Sequence, residues 1–522
     1  MILENYFKQH LDERPDAEAL IFKDRRFTFR QYNDQADRVA AGLLELGLER
    51  GDRLGIYIPN WPEFLFTYMG AAKIGMVAVP MSWRFQPQEL RFIAGNSEIS
   101  ALVMASGFQG MDFMANLAQV KGELPHLKHV VQLDEDRIEE GMIPWSRFLG
   151  SPGPALDRAK AEVRPDDVLI FLYTSGTTGV PKAAMLTHKN VVSYTEAETD
   201  SSGLPQDMQH TLLLNVPLNH VGGAIMGVAA GLIAGTRIVM VDTFDPEETL
   251  QLIEREKVTV FGQVPAQYAL ELLNPNVSKY DLSSIQVAVV SSQPCPSEMI
   301  SQIQDKIGVM PQNAYGLTEV SGAITYTQPD DPVEKLLYTV GRPISNVDLA
   351  IMDGNANPLP AGEVGEISVK GDCVMKGYWN RPDEDAKVFD ARGYFHTGDM
   401  GRLDEDGYLI ISGRKKEMYI RGGENVYPPE VEEVIAKHPD VFIVAVVGRP
   451  DEVMGEVGRA YIWRKPGTNP TAEGMREFLS DKLARFKMPA DFVFVDELPL
   501  SPIGKVKKLE LYERIRAEQA GG

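Results

Sequence analysis

The chain has 522 residues, a formal net charge of −22 and 44% hydrophobic residues. That is more chain than one small core can use, so two or more globular domains are expected, and the acidic balance argues against a nucleic-acid partner, which needs basic patches to neutralise phosphates. The two cysteines, Cys295 and Cys373, lie too far apart to read as a disulfide framework or a metal-ligand spacing; both are read as packing residues of a cytoplasmic protein.

The N-terminal stretch "MILENYFKQHLDERPD" carries Glu4, Lys8, Asp12, Glu13 and Arg14. It has neither the basic start nor the unbroken apolar run of a signal peptide, so no export is expected. A short hairpin over 19–22 and 26–29 comes next. Then amphipathic helices alternate with apolar strands: helix 30–46, strand 53–58, helix 62–74, strand 77–79. The alternation predicts an α/β layered unit. It returns with strand 168–173, strand 237–241, helix 246–256, strand 258–261 and strand 287–291, so two such layers are expected before residue 330. Between them lies an uncharged stretch, 210–236, long enough to cross a bilayer. Asn215, Pro217, Asn219 and His220 in its middle would be costly in hydrocarbon. It is read instead as strand 211–216, loop 217–220 and a small-residue helix, and no transmembrane segment is expected.

From about 340 to 411 helical periodicity fades, and short strands with Gly, Pro and Asp turns predict a β-rich subdomain. From Lys416 onward the chain holds 16 basic and 18 acidic residues, leaving −20 of the net charge before that point. With the Gly-Gly turn, the double proline and an amphipathic helix from about Glu430, this places a domain boundary near Lys416. The expected fold is therefore α/β: a large N-terminal domain, 1–415, of two layered subdomains plus a small β-rich one, followed by a small α+β domain, 416–522. No solenoid repeat and no low-complexity tract interrupts it.

The segment "YTSGTTGVPK" (173–182) follows the apolar strand 168–172. Its hydroxyls and glycine-freed backbone N–H groups are what a polyphosphate needs, and Lys182 adds a mobile positive charge. It is not a Walker A loop, because two residues separate its glycines where that motif has four. On composition alone it reads equally well as a flexible linker.

The segment is similar to the AMP-binding signature of the adenylate-forming superfamily. Further stretches resemble that family's motifs in the family's order: "PLNHVGG" (217–223), "YGLTE" (315–319), "HTGD" (396–399), "SGRKKE" (412–417), "RGGENVYPPEVEE" (421–433) and "LPLSPIGKVKKLEL" (498–511). The likeness covers nearly the whole chain.

For ATP and AMP, the resemblance implies contacts from Thr174, Ser175, Gly176, Thr177, Thr178, Gly179 and Lys182, the loop acting as a mobile lid over the β- and γ-phosphates. It implies that Tyr315, flanked by Ala314 and Gly316, stacks on adenine, that Thr318 meets the α-phosphate, and that Glu319 holds Mg²⁺, a hard cation suited to carboxylate and phosphate oxygens. Asp399 would accept the ribose hydroxyls, and Arg414 would contact the ribose and phosphate region. Gln293 and Pro294 are also placed at the ATP/AMP site; they belong to "SSQPCP" (291–296), which departs from the Gly-Gly-Ala-Pro-like stretch of relatives, and its larger, more polar Ser292 and Gln293 could reshape either the adenine site or the acyl pocket.

His220 is placed beside the substrate carboxylate. Asn219-His220 offers no partner for an ammonium, so the substrate is expected to lack an α-amine. Motif position places Val221, Gly222, Gly223, Gln263, Val264, Gly316, Val320, Ser321 and Gly322 at the acyl pocket, and the glycines hint at room for a ring or a long chain. Lys505 resembles the catalytic lysine. A unit charge at about 4 Å is worth on the order of 4 kcal/mol at an effective dielectric of 20, enough to bring carboxylate and phosphate together. The resemblance further implies that the small domain rotates about the hinge Lys416, withdrawing Lys505 and presenting Gly422, Gly423 and Glu424 to a coenzyme A channel.

The expected activity is that of an ATP-dependent, AMP-forming acyl-CoA ligase, with Mg²⁺ as cofactor and a medium- or long-chain fatty acid or another hydrophobic acid as substrate. An aryl- or alicyclic-acid ligase, a carrier-loading enzyme, a luciferase-like enzyme and a non-catalytic nucleotide sensor are the alternatives. No carrier domain is expected in the 17 residues after Lys505, and a homodimer is allowed.

Overall fold

The computed structural model describes residues 1–174, 180–201, 204, 208–293, 295–500 and 506–521. Two large sheets dominate the N-terminal part. The first has seven strands in the order Lys182–Thr187, Val168–Thr174, Val77–Pro80, Arg53–Tyr57, Ala101–Met104, His129–Gln132 and Ile143–Pro144. The second has nine, in the order Arg342–Pro343, Gly322–Tyr326, Gln312–Leu317, Val287–Val290, Val260–Gln263, Thr211–Leu214, Arg237–Met240, Glu18–Phe22 and Arg25–Thr28.

One apolar core joins them, with Leu54, Ile56 and Leu172 from the first sheet and Leu214, Ile238 and Ile324 from the second. Strands buried on both faces cannot alternate with polar residues. In Val168–Thr174, Leu172 faces the shared core while Phe171 and Tyr173 face the opposite one. Helices cover the outer faces: Pro246–Glu256, Pro265–Leu272 and Ser297–Ile307 over the nine-stranded sheet, Pro87–Asn96 and Phe113–Val120 over the seven-stranded one.

The helices begin where local chemistry says they should. Thr28 caps Phe29–Glu45 by accepting from the Gln31 N–H, with the Gln31 side chain returning the bond. Asp245 caps Pro246–Glu256, whose proline takes the first-turn position that needs no N–H donor. The double proline likewise opens Pro428–Ala436, two residues before the expected start.

The two layers differ from the expected ones in membership. The first hairpin leaves its neighbours in sequence and joins the later sheet, Leu20 pairing in parallel with Ile238. Strand Val168–Thr174 joins the earlier sheet, Ile170 pairing with Ala78. Strand alternation reads the layer type but not which edge a strand completes. The strand expected at 258–261 lies at Val260–Gln263. An N-terminal helix, Leu3–Glu13, precedes the hairpin and buries Leu3, Phe7 and His10.

The uncharged stretch folds as strand Thr211–Leu214, a loop, a π-helix Gly222–Ala229 and a short helix Ala230–Ala234. Among the described residues no helix is long and apolar enough to cross a membrane. Both cysteines are buried and neither is in a disulfide.

A four-stranded antiparallel sheet, Asp348–Met352, Gly365–Lys370, Phe395–Leu403 and Leu409–Arg414, follows. The small C-terminal domain then builds its own sheet in the order Glu424–Val426, Tyr419–Arg421, Gly455–Arg464 and Val441–Asp451, with Asp491–Val495 paired to Gly455–Arg464. Its cores contain none of the N-terminal residues. Its helix Pro428–Ala436 touches the large domain, where Ser297 Oγ donates to Glu433 Oε1 at 3.0 Å.

Candidate active site

Strands Thr211–Leu214, Val260–Gln263, Val287–Val290 and Gln312–Leu317 are parallel neighbours, so their carboxyl ends open on one edge. Ligands of open α/β sheets bind at such edges. The segments leaving these four ends are the loop to His220, Gln263-Val264, Ser291–Gln293 and Tyr315–Glu319. Motifs separated by up to 100 residues in the chain are thus brought to one crevice.

Glu319 sits in a one-turn 3-10 helix, Thr318–Val320, and is 9% exposed. Its Oε1 accepts from the Tyr378 hydroxyl at 2.8 Å and from Thr174 Oγ1 at 3.3 Å. Thr174 ends strand Val168–Thr174, so this bond ties the seven-stranded sheet to the "YGLTE" turn. The Glu319 carbonyl also accepts from the Met375 N–H, strapping the 371–379 segment across the site. Among the described residues no Lys or Arg nitrogen pairs with the Glu319 carboxylate within 4.0 Å. A lone, buried, hydrogen-bonded carboxylate suits a Mg²⁺ ion that takes its other ligands from phosphate and water.

Asp399 is 5% exposed and accepts from the Tyr315 hydroxyl at 2.8 Å. Arg414 Nε lies 2.9 Å from its other oxygen. The pairing is built by adjacent antiparallel strands, in which Asp399 and Arg414 are register partners. Burial, then the neighbouring Asp399 charge, pushes the Tyr315 phenol well up, so it remains a donor. A carboxylate oriented in this way can accept from vicinal hydroxyls, while the Tyr315 ring is half-buried.

The loop Pro217–His220 and the π-helix form the other wall. A π-helix is rare and often marks a functional site. Here small residues permit it: a Cβ on Gly223 would run into the Pro217 carbonyl. The His220 carbonyl accepts from the Gly223 and Ala224 N–H groups, so half-buried His220 sits at the helix mouth. Gly316 is equally constrained, since a Cβ there would meet the Gly322 carbonyl across the strand pair. These two glycines answer to backbone approach rather than to ligand room. Gly222 differs: its Cβ would find only a Val216 methyl, 3.9 Å away.

Around this opening Val216, Val221, Met226, Val289 and Leu317 stay partly exposed while packed against the core. Val216, Met226 and Val289 were not singled out from sequence, because an apolar residue at a strand or helix end reads as core. Val320, Ser321 and Gly322 follow Glu319; Ser321 is fully buried, donates to the Cys373 carbonyl and has φ +67°. Ala314 is buried in the strand behind Tyr315, and Val264 is 6% exposed at the start of helix Pro265–Leu272.

Two expected site residues are engaged elsewhere. Lys182 is not a mobile charge on a loop: it begins strand Lys182–Thr187, is 7% exposed, and lies 3.0 Å from Glu384 Oε2 and 4.4 Å above the Tyr378 ring. Strand pairing through Thr174 fixes its backbone, and a buried ammonium needs a counter-ion. Gln263 turns away from the acyl side, its Nε2 donating to both oxygens of buried Glu271 at 2.9 and 2.8 Å. Burial raises the Glu271 carboxyl well above the usual range.

Ser292, in the departing "SSQPCP" stretch, adopts φ +77°, a left-handed conformation that favours glycine. The glycine-like character of the position is therefore a backbone requirement, while half-buried Gln293 follows it. Gly422 and Gly423, with φ +59° and +92°, form the two-residue turn between Tyr419–Arg421 and Glu424–Val426. A Cβ on Gly423 would meet nothing, and Glu424 is exposed. Lys416 is exposed between the two domains' sheets. Ser175, Gly176, Thr177, Thr178, Gly179, Pro294 and Lys505 lie outside the described residues.

Two large α/β sheets with a small C-terminal domain, and an acidic strand-end cluster in the crevice, are the architecture of an adenylate-forming enzyme. The chain belongs to the AMP-binding enzyme family: residues 7–379 match the AMP-binding enzyme description and residues 430–505 its C-terminal domain. Within that family it is an AMP-forming acid–thiol ligase.

It is 35% identical to the 3-[(3aS,4S,7aS)-7a-methyl-1,5-dioxo-octahydro-1H-inden-4-yl]propanoyl:CoA ligase of Mycobacterium tuberculosis, over 96% of each chain. It is 32% identical to the human mitochondrial medium-chain acyl-CoA ligase ACSF2, over 96% of this chain and 85% of that one. The solved anthranilate CoA ligase AuaEII, in complex with anthranoyl-AMP, superposes with a TM-score of 0.90 at 26% identity, covering 100% of this chain and 98% of that one.

Proposed function

We propose that the chain joins a hydrophobic carboxylic acid without an α-amine to coenzyme A, through an acyl adenylate formed from ATP. The observation that carries the substrate class is the half-exposed apolar rim of Val216, Val221, Met226, Val289 and Leu317, beside Glu319 and Asp399. It is supported by relatives whose names specify a ring-bearing propanoate and a medium-chain acyl group.

In the first half-reaction a carboxylate oxygen attacks the α-phosphorus and pyrophosphate leaves with the bonding pair. Asp399, oriented by Tyr315 and Arg414, accepts the ribose hydroxyls and fixes the nucleotide. Glu319, oriented by Tyr378 and Thr174, carries Mg²⁺, and His220 and Thr318 flank the reacting carboxylate and phosphate. Mg²⁺ supplies neutralisation of phosphate charge. Lys505 supplies the positive charge that lets two anions meet. In the second half-reaction the coenzyme A thiolate attacks the acyl carbonyl and AMP leaves, with Gly422, Gly423 and Glu424 turned towards the channel by a rotation of residues 416–522 about Lys416.

Pyrophosphate release across acetate, medium and long fatty acids, benzoates, cinnamates and alicyclic acids tests this reading. Turnover should favour apolar acids; preference for an amino acid would reject it. A ring-bearing acid is the second reading, favoured by the open space at Gly222.

A further inference from the structure

Helix Lys508–Gly521 begins with a lysine, the wrong charge for the positive end of a helix dipole. Its surroundings supply the reason. Lys508 Nζ lies 2.8 Å from Glu432 Oε1 and 3.2 Å from Glu417 Oε2, and all three side chains are less than a quarter exposed. Burial works against the Lys508 charge, but the Glu432 and Glu417 carboxylates outweigh it and hold the ammonium above its usual range. Its neighbour Lys507 instead pairs with Glu510 at the surface.

The two carboxylates come from different parts of the small domain. Glu417 follows Lys416, and its N–H donates to the Arg414 carbonyl at 3.0 Å, in the turn after the strand whose last residue, Arg414, holds Asp399. Glu432 lies in helix Pro428–Ala436, and its Oε1 also accepts from the Val446 N–H of strand Val441–Asp451 at 2.6 Å. Lys508 therefore joins three segments: the turn at Lys416, the packed body of the domain and the start of the last helix. Just before it, the Lys507 N–H donates to the Pro499 carbonyl at 2.8 Å and Val506 is bridged to Leu500, which draws together the chain on the two sides of 501–505. Lys505 precedes Lys508 by three residues, a reach of at most about 11 Å.

We propose that Lys508 is a positioning residue for adenylate formation: its ion pairs with Glu417 and Glu432 fix the segment that carries Lys505 against the turn at Lys416, a role resting on the acyl-CoA ligase reading above. All three groups belong to residues 416–522, so the triad turns with the small domain and sets where Lys505 stands within it. The coenzyme A step draws on Gly422, Gly423 and Glu424, which lie on a different strand pair. An ion triad that served stability alone would touch both steps alike; a positioning one touches the first.

The test measures, in the full chain, pyrophosphate release from ATP and an acid without coenzyme A, and separately thioester formation from supplied acyl-AMP. The variants are Lys508→Met, Lys508→Arg and Glu417→Gln. Lys508→Met keeps the side chain's length and removes its charge; kcat for the first step should fall about tenfold or more, with KM for ATP and acid, and the rate of thioester formation, within about twofold of wild type. Lys508→Arg still reaches both carboxylates and should return the first step to within about threefold of wild type. Glu417→Gln leaves Lys508 one counter-ion, should slow the first step about threefold, and decides the matter if Lys508→Met fails to fold. Adding Lys508→Met to Lys505→Ala should slow the residual first step no further, because both act through one charge. Folded variants that slow both steps equally, or that leave the first step unchanged, would overturn the proposal. Wild-type protein that releases no pyrophosphate with any acid would instead overturn the ligase reading beneath it.

Discussion

The Tyr315 hydroxyl donates to the Asp399 carboxylate across 2.8 Å, joining a strand of the nine-stranded sheet to a strand of the four-stranded one. Arg414 holds the other carboxylate oxygen at 2.9 Å, so Asp399 is aimed by two partners before any nucleotide arrives. Hydrogen bonds to charged groups contribute about 1.5–3 kcal/mol. Asp399→Asn is therefore expected to raise KM for ATP about ten- to a hundredfold, with KM for the acid little changed, as initial-rate measurements would read. An equal rise in both constants would place Asp399 outside the nucleotide site.

Glu319 makes a separate prediction. Glu319→Gln keeps a side-chain oxygen for Tyr378 and Thr174 but removes the charge. The Mg²⁺ concentration for half-maximal pyrophosphate release should rise about tenfold or more, a loss of at least 1.4 kcal/mol. An unchanged Mg²⁺ titration would reject Glu319 as a metal ligand.

The buried pair Lys182–Glu384 separates stability from chemistry. Glu384→Leu strands a buried ammonium and should cost about 3–5 kcal/mol in denaturant unfolding. The double variant Lys182→Met with Glu384→Leu should regain much of that stability without regaining ATP turnover, if Lys182 serves the phosphates. Recovery of both would make the lysine structural only.

Glu198 gives the pH dependence. Burial raises its carboxyl from 4.5 to about 7. A folded pKa above the unfolded one adds stability that is fully present below about pH 4.5 and lost as pH rises through 7. Buried Glu271 acts in the same direction. Wild-type protein should be more resistant to denaturant at pH 5.5 than at pH 8, and Glu198→Gln should shrink that difference by on the order of 1 kcal/mol. A difference unaffected by the substitution would show that Glu198 does not titrate in this range.

Much of this was legible in the sequence, for reasons that particular residues make plain. Pro246–Glu256 is bounded by an acidic cap and a following lysine, signals that depend on neighbours in the chain, and its limits were read correctly. The "YGLTE" and "HTGD" stretches are compact local motifs, and the fold brings them together through the Tyr315–Asp399 hydrogen bond. What escaped notice depends on distant partners. Tyr378 reads as an ordinary aromatic until the fold lays it between Glu319 and Lys182, and Glu384 reads as one of several surface acids until Lys182 is buried against it. Gln263 was expected to face the ligand, and only the approach of Glu271 one helix later turns it inward. The first hairpin crosses to the second sheet because its partner strand lies more than 200 residues on, a pairing that no local pattern encodes.

The most direct test of the central claim measures the two half-reactions separately, in the wild-type chain and in two variants, with the best acid from the substrate panel. Wild-type protein should release pyrophosphate from ATP only when the acid is present, and form thioester when coenzyme A is added. Lys505→Ala should lose adenylate formation while still making thioester from supplied acyl-AMP, and Gly423→Leu should do the reverse, its intact first half-reaction serving as the control for folding. Pyrophosphate release that ignores the acid, or a Lys505→Ala variant that loses both halves equally, would contradict the assignment.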